Sequence, residues 1–145
     1  IRGARMTTPA DPKAALMLRW QRLQMHVRCG LYAHDPGRIR LYVHAGLRIV
    51  RRGIQPAVPT HIKMLQTLLL CAQDEGLPWF WRSVCLEHVN LPMAHLASTL
   101  GVHDPIGMQA LEAGVQRARD QLPVFPSLAA RRAVPAPEAR PDDLR

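Results

Sequence analysis

The chain has 145 residues, 48% of them hydrophobic and 21% charged, with a net charge of +8 at neutral pH. That length suits one domain with a real hydrophobic core. The longest apolar run, 68–72, falls far short of the roughly 18 residues that a membrane-spanning helix requires.

The charge is uneven. Residues 1–53 carry 11 Arg and Lys against 2 Asp (+9), residues 54–122 carry 4 basic against 6 acidic groups (−2), and residues 123–145 carry 4 against 3 (+1). Such asymmetry points to an anionic partner for the first half: nucleic acid, a membrane surface or an acidic protein. Three cysteines, Cys29, Cys71 and Cys85, form no even set for a disulfide framework, and the arginine-bearing start has no apolar export segment. A cytoplasmic protein is therefore expected. Met6 is a candidate start, residues 1–10 read as a flexible N-terminus, and the excess of Arg, Ala and Pro over Lys points to a GC-rich bacterial gene.

Helix punctuation divides residues 11–122 into six elements of an all-α domain. Asp11-Pro12, Asp35-Pro36 and Asp104-Pro105 each read as an N-cap followed by proline, because the carboxylate accepts from a free N–H of the first turn and proline there loses no needed donor. Gly30, Gly53, Gly76 and Gly101 read as left-handed C-terminal caps. The first helix is expected over 12–29, with Leu16, Trp20, Leu23 and Val27 as its apolar face. The second is expected over 36–52, burying Ile39, Tyr42, Val43, Leu47 and Val50. A β-hairpin over 38–44 and 47–53, turning at Ala45-Gly46, is the alternative. A loop over 54–58 leads to a third helix over 60–74, with Ile62, Leu65, Leu69 and Ala72 inward. The fourth, fifth and sixth helices are expected over 78–88, 92–100 and 105–122. Residues 123–145, with five prolines, read as a disordered tail.

On the second helix, Arg40, His44, Arg48, Arg51 and Arg52 fall within about 120° of arc at 100° per residue, with Arg38 beside them. Arginine suits phosphate because its planar fork bonds two oxygens at once. Arg19, Arg22 and His26 of the first helix extend the same surface if the two helices pack antiparallel. Residues 11–53 thus read as a basic helical hairpin, and 59–122 as a second part of the same domain.

In that second part, Leu96-Ala97-Ser98-Thr99-Leu100-Gly101-Val102 reads as a helix ending in a glycine turn, with Leu96, Leu100 and Val102 turned inward and Ala97 small at a close approach. Asp104-Pro105 then opens a helix whose inner face is Met108, Leu111 and Val115. Residues 96–114 resemble bacterial helix-turn-helix regulators, whose pattern is roughly L-A-x-x-L-G-V followed by a recognition helix. Leu100-Gly101, Asp104 and Met108 are also faintly similar to the DNA-binding domain of DnaA-type replication initiators. Gly107 stands where many such regulators carry a branched apolar residue. His103, Pro105, Ile106 and Gly107 replace the basic and threonine residues of the initiators. The resemblance, over about 78–122, implies a trihelical unit whose last helix enters the major groove, with His103 and Gln109 as its candidates for DNA contact. Within 78–122 only Arg82, Arg117 and Arg119 oppose Glu87, Asp104, Glu112 and Asp120, so the phosphate contacts are expected from the basic hairpin.

The expected partner is DNA, bound by a small transcription or replication regulator of a plasmid, phage or mobile element, which binds as a homodimer if it reads symmetric half-sites. The alternative is a non-enzymatic helical adaptor or inhibitor that binds an acidic protein partner through Trp79, Phe80 and Trp81. His26-x-x-Cys29 and Cys85-x-x-His88 have ligand spacing, but no C-x-x-C pair accompanies them, and neither a metal nor a cofactor is expected. No Gly-rich phosphate loop, H-E-x-x-H or G-x-S-x-G occurs, so no catalytic residue is assigned.

Overall fold

The computed structural model describes residues 11–124. Six helices follow one another: α1 (Pro12–Cys29), α2 (Gly37–Arg51), α3 (Ala57–Gln73), α4 (Trp79–His88), α5 (Asn90–His103) and α6 (Pro105–Gln121). Among the described residues there is no strand, so 38–51 is helical and Ala45-Gly46 lies inside α2 rather than at a hairpin turn. The expected flexible start, and the expected disordered tail beyond 124, lie outside the described residues.

The aspartate–proline starts behave in two ways. Asp11 accepts from the Lys13 N–H at 3.1 Å and Asp104 from the Gly107 N–H at 2.9 Å. Asp35 does not cap: α2 starts after Pro36 without a side-chain cap, and the Asp35 carboxylate lies 3.5 Å from Arg38 Nε instead. The glycines divide as well. Gly30 and Gly53 hold positive φ angles of 59° and 67°, a backbone that other residues adopt with strain. Gly76 and Gly101 are not left-handed caps. Helix α3 stops at Gln73 and its Ala72 carbonyl accepts from the buried Arg82 Nε at 2.9 Å, while the Gly76 N–H bonds the Asp74 carboxylate. Helix α5 runs through Gly101 to His103, and the chain turns at Asp104.

Two helices start earlier than expected, for one reason. Pro59 and Pro92 are each the third residue of their helix, where backbone N–H groups have no intrahelical partner and proline removes no bond.

All six helices contribute to one cluster of buried side chains, and α3 packs against each of the other five. Its buried residues, Thr60, His61, Met64, Leu65, Thr67, Leu68, Cys71 and Ala72, cover more than one face, as a central helix requires. Trp20 of α1 stacks on Tyr42 of α2, ring centres 5.9 Å apart. Thr67 joins three helices: its hydroxyl accepts from Tyr42 at 3.2 Å and Gln24 at 3.3 Å and donates to the Lys63 carbonyl at 2.9 Å. Near the end of α1, the Val27 carbonyl accepts from the Trp81 indole at 2.9 Å and the Cys71 thiol at 3.4 Å. Gly46 is buried where α1, α2 and α3 meet, and a Cβ there would collide with the Met64 sulfur and crowd the Trp20 indole.

Candidate functional site

Helices α1 and α2 pack against each other, and their apolar faces supply Trp20, Leu23 and Val27 on one side and Ile39, Tyr42, Val43 and Ile49 on the other. With those faces committed to the core, the polar edges meet along a surface groove of about 230 Å³. Its floor is Leu16, Leu41 and Ala45, and its polar lining is Arg19 from α1 with His44, Arg48 and Arg51 from α2. Two turns of one helix and one position of the other thus place three guanidinium groups around one depression. The ion pairs among the described residues are Arg28–Asp74 at 2.7 Å and Arg38–Asp35 at 3.5 Å, so no described carboxylate neutralises the groove arginines.

The other arginines of the stripe fall into two groups. Arg40 is exposed on α2, Arg52 just after its end and Arg22 on α1, all outside the groove lining. Arg38 is turned back on the protein. Its guanidinium lies 3.6 Å from the Tyr32 ring centre and donates to His26 Nδ1 at 3.3 Å, so it joins the α1–α2 turn to both helices. His26 is correspondingly occupied.

The α5–α6 pair places His103 and Gln109 on exposed surface, apart from the groove lining. Leu96 is buried and Leu100 half-buried, but Val102 is 80% exposed and the neighbouring Ile106 79%. Val102 therefore does not turn inward: the extension of α5 through Gly101 rotates it off the packed face. Ala97 is exposed too, with no helix pressed on it. The inner face of α6 is Met108, Val115 and half-buried Leu111, as its periodicity indicates. At Gly107 a Cβ would collide with the Asp104 carboxylate, which accounts for glycine there: the residue leaves room for the cap.

Of the three consecutive aromatics, Trp81 is fully buried, Phe80 is 55% exposed and Trp79 donates to the Pro123 carbonyl at 2.6 Å. The two histidine–cysteine pairs do not come together as ligands. Among the described residues, no group of three or more His, Cys, Asp or Glu is placed to hold a metal ion. A hydrogen bond with the neighbouring Cys71, and then burial, push the Cys85 thiol up, and His88 Nδ1 donates to the Val84 carbonyl at 2.9 Å. No helix is long and apolar enough to cross a membrane among the described residues.

A second cavity, of about 320 Å³, lies beside the groove and shares His44 and Arg51 with it. Leu47 and Val50 of α2, His61 of α3 and His95 of α5 complete its lining. The His61 and His95 rings stack with centres 4.6 Å apart and an angle of 3° between planes. Burial, and then the neighbouring His95, hold the His61 imidazole below its ordinary pKa. Sequence reading placed no functional role on either residue. They stand 34 positions apart on different helices, and no local motif joins them.

No known protein family, curated protein or solved structure matches this chain.

Proposed function

We propose that this protein is a small DNA-associated regulator that holds the phosphate backbone in the groove between α1 and α2. The carrying observation is the convergence of Arg19, Arg48 and Arg51 from two helices on one depression, without a described carboxylate to neutralise them. Guanidinium groups so placed give up solvent and counterions readily to a polyanion, and release of counterions from the nucleic acid drives the association. Exposed Arg40 and Arg52 extend the positive surface along α2, and Arg22 extends it along α1. The helix-turn-helix-like pair α5–α6, turning at Asp104 with His103 and Gln109 exposed, is the part of the proposal that concerns base contact; the groove is the part that concerns affinity.

The test is fluorescence anisotropy with labelled duplex DNA of random sequence at low and moderate salt. Saturable binding that weakens steeply with salt supports the reading. Absence of binding at low salt overturns it and turns the search to an acidic protein partner for the same arginines. The tryptophans add little to that second reading, since Trp81 is buried and Trp79 is engaged with Pro123.

A further inference from the structure

The cavity between α2, α3 and α5 has features that phosphate-backbone binding does not use. Its volume of about 320 Å³ lies at the lower end of small-molecule sites, roughly 300–1,000 Å³. One wall is apolar, from Leu47 and Val50, and the others carry the Arg51 guanidinium and the imidazoles of His44, His61 and His95. These four are the charged or titratable groups of the lining, and no carboxylate is among them. His61 is only 3% exposed, and its Nδ1 is buried without a hydrogen-bond partner. An imidazole nitrogen stripped of water and left unpaired is costly to bury. The His95 ring stacks on the face of His61 and so does not bond its Nδ1.

We infer that this cavity is a binding site for a small organic anion with an apolar body, such as an aromatic carboxylate. The apolar body lies against Leu47 and Val50, the anionic group meets the Arg51 guanidinium, and the imidazoles provide hydrogen-bond donors around it. An inorganic anion would leave the apolar wall in contact with water, and a neutral aromatic would leave the guanidinium unmatched, so both halves of the ligand are required. Binding takes up a proton, because an anion beside His61 favours the charged imidazole that burial disfavours in the empty protein. This site stands independently of DNA binding, although His44 and Arg51 border both.

Isothermal titration with benzoate as the probe, at about pH 6 and about pH 7.5, tests it. Inorganic phosphate and benzyl alcohol serve as the anion without the apolar body and the apolar body without the anion. The expected result is saturable binding of benzoate alone, tighter by about tenfold at the lower pH, with a loss of at least about tenfold in Arg51→Gln. The pH dependence should flatten in His61→Gln. Should that variant fail to fold, His95→Ala, at an exposed position, should weaken the pH dependence instead, because it removes the ring that disfavours a charged His61. Absence of saturable benzoate binding at either pH overturns the inference. So does equal binding of phosphate or of benzyl alcohol, and so does an unchanged affinity in Arg51→Gln.

Discussion

Arginines in this molecule do three different things, and burial separates them. Arg82 is a structural group: nearly buried, it satisfies a carbonyl at the end of α3. Arg82→Ala is expected to lower stability by about 2–3 kcal/mol, because a charged donor is lost and the carbonyl is left unpaired. Arg40→Ala, at an exposed position, should stay within about 0.5 kcal/mol of the parent; chemical denaturation of both variants measures the contrast. Arg38 braces a turn, and Arg19, Arg48 and Arg51 face a groove. Sequence spacing put Arg38 with the groove arginines because it counts position along one helix; Tyr32 and His26, which hold it back, come from other elements. His61 has its own signature. Its pKa lies below the ordinary 6.5 in the folded protein, so the unfolded chain takes up a proton first as pH falls. Stability is therefore complete above about pH 6.5 and declines below it until the folded-state value is reached. Denaturation midpoints at about pH 7.5 and about pH 5.5 should show a smaller acid loss in His61→Gln than in the parent, and an equal loss would contradict the argument.

Among the helices, the glycines set what each element tolerates. Gly46 sits under Met64 and Trp20, whereas nothing lies within 4 Å of a Cβ at Gly101. Gly101→Ala is thus expected to stabilise the protein by about 0.5–1 kcal/mol, since it removes backbone freedom inside an exposed helix. Gly46→Ala is expected to destabilise it by about 1–3 kcal/mol through overpacking. Opposite shifts in melting temperature would be the observation. The same pair shows why helix existence was legible and helix ends were less so. The apolar periodicity of α1, α2 and α6 identified Trp20, Val27, Ile39, Val43, Met108 and Val115 as core, and all are buried. Glycine and proline, however, carry several meanings: Gly101 reads as a stop until Asp104 is seen to end α5 and start α6, and Pro92 reads as a start although a first turn accepts proline at its third residue. Replacing the shared Asp104 by Ala should cost about 1 kcal/mol, the usual worth of a side-chain cap, with helical content reduced at α6.

At the scale of the whole molecule, α3 is the element that determines where function can lie. By filling its faces with core it leaves α1 and α2 to meet at one edge, where the arginine stripe becomes a groove, and α5 to close the histidine cavity from another side. The groove was partly legible, because the stripe on α2 and an antiparallel α1 follow from spacing and a short connection. The cavity was not, because it depends on three helices whose packing no periodicity specifies. If the groove arginines bind phosphates, as proposed, their removal must change both affinity and its salt dependence. The most direct measurement is the salt dependence of duplex DNA affinity for the parent and for a protein with Arg19→Ala, Arg48→Ala and Arg51→Ala combined. Weaker binding is expected in the variant, with its log–log salt slope reduced by about 0.9 for each phosphate contact removed and its helical content unchanged. The same affinity and the same slope in both proteins would contradict it.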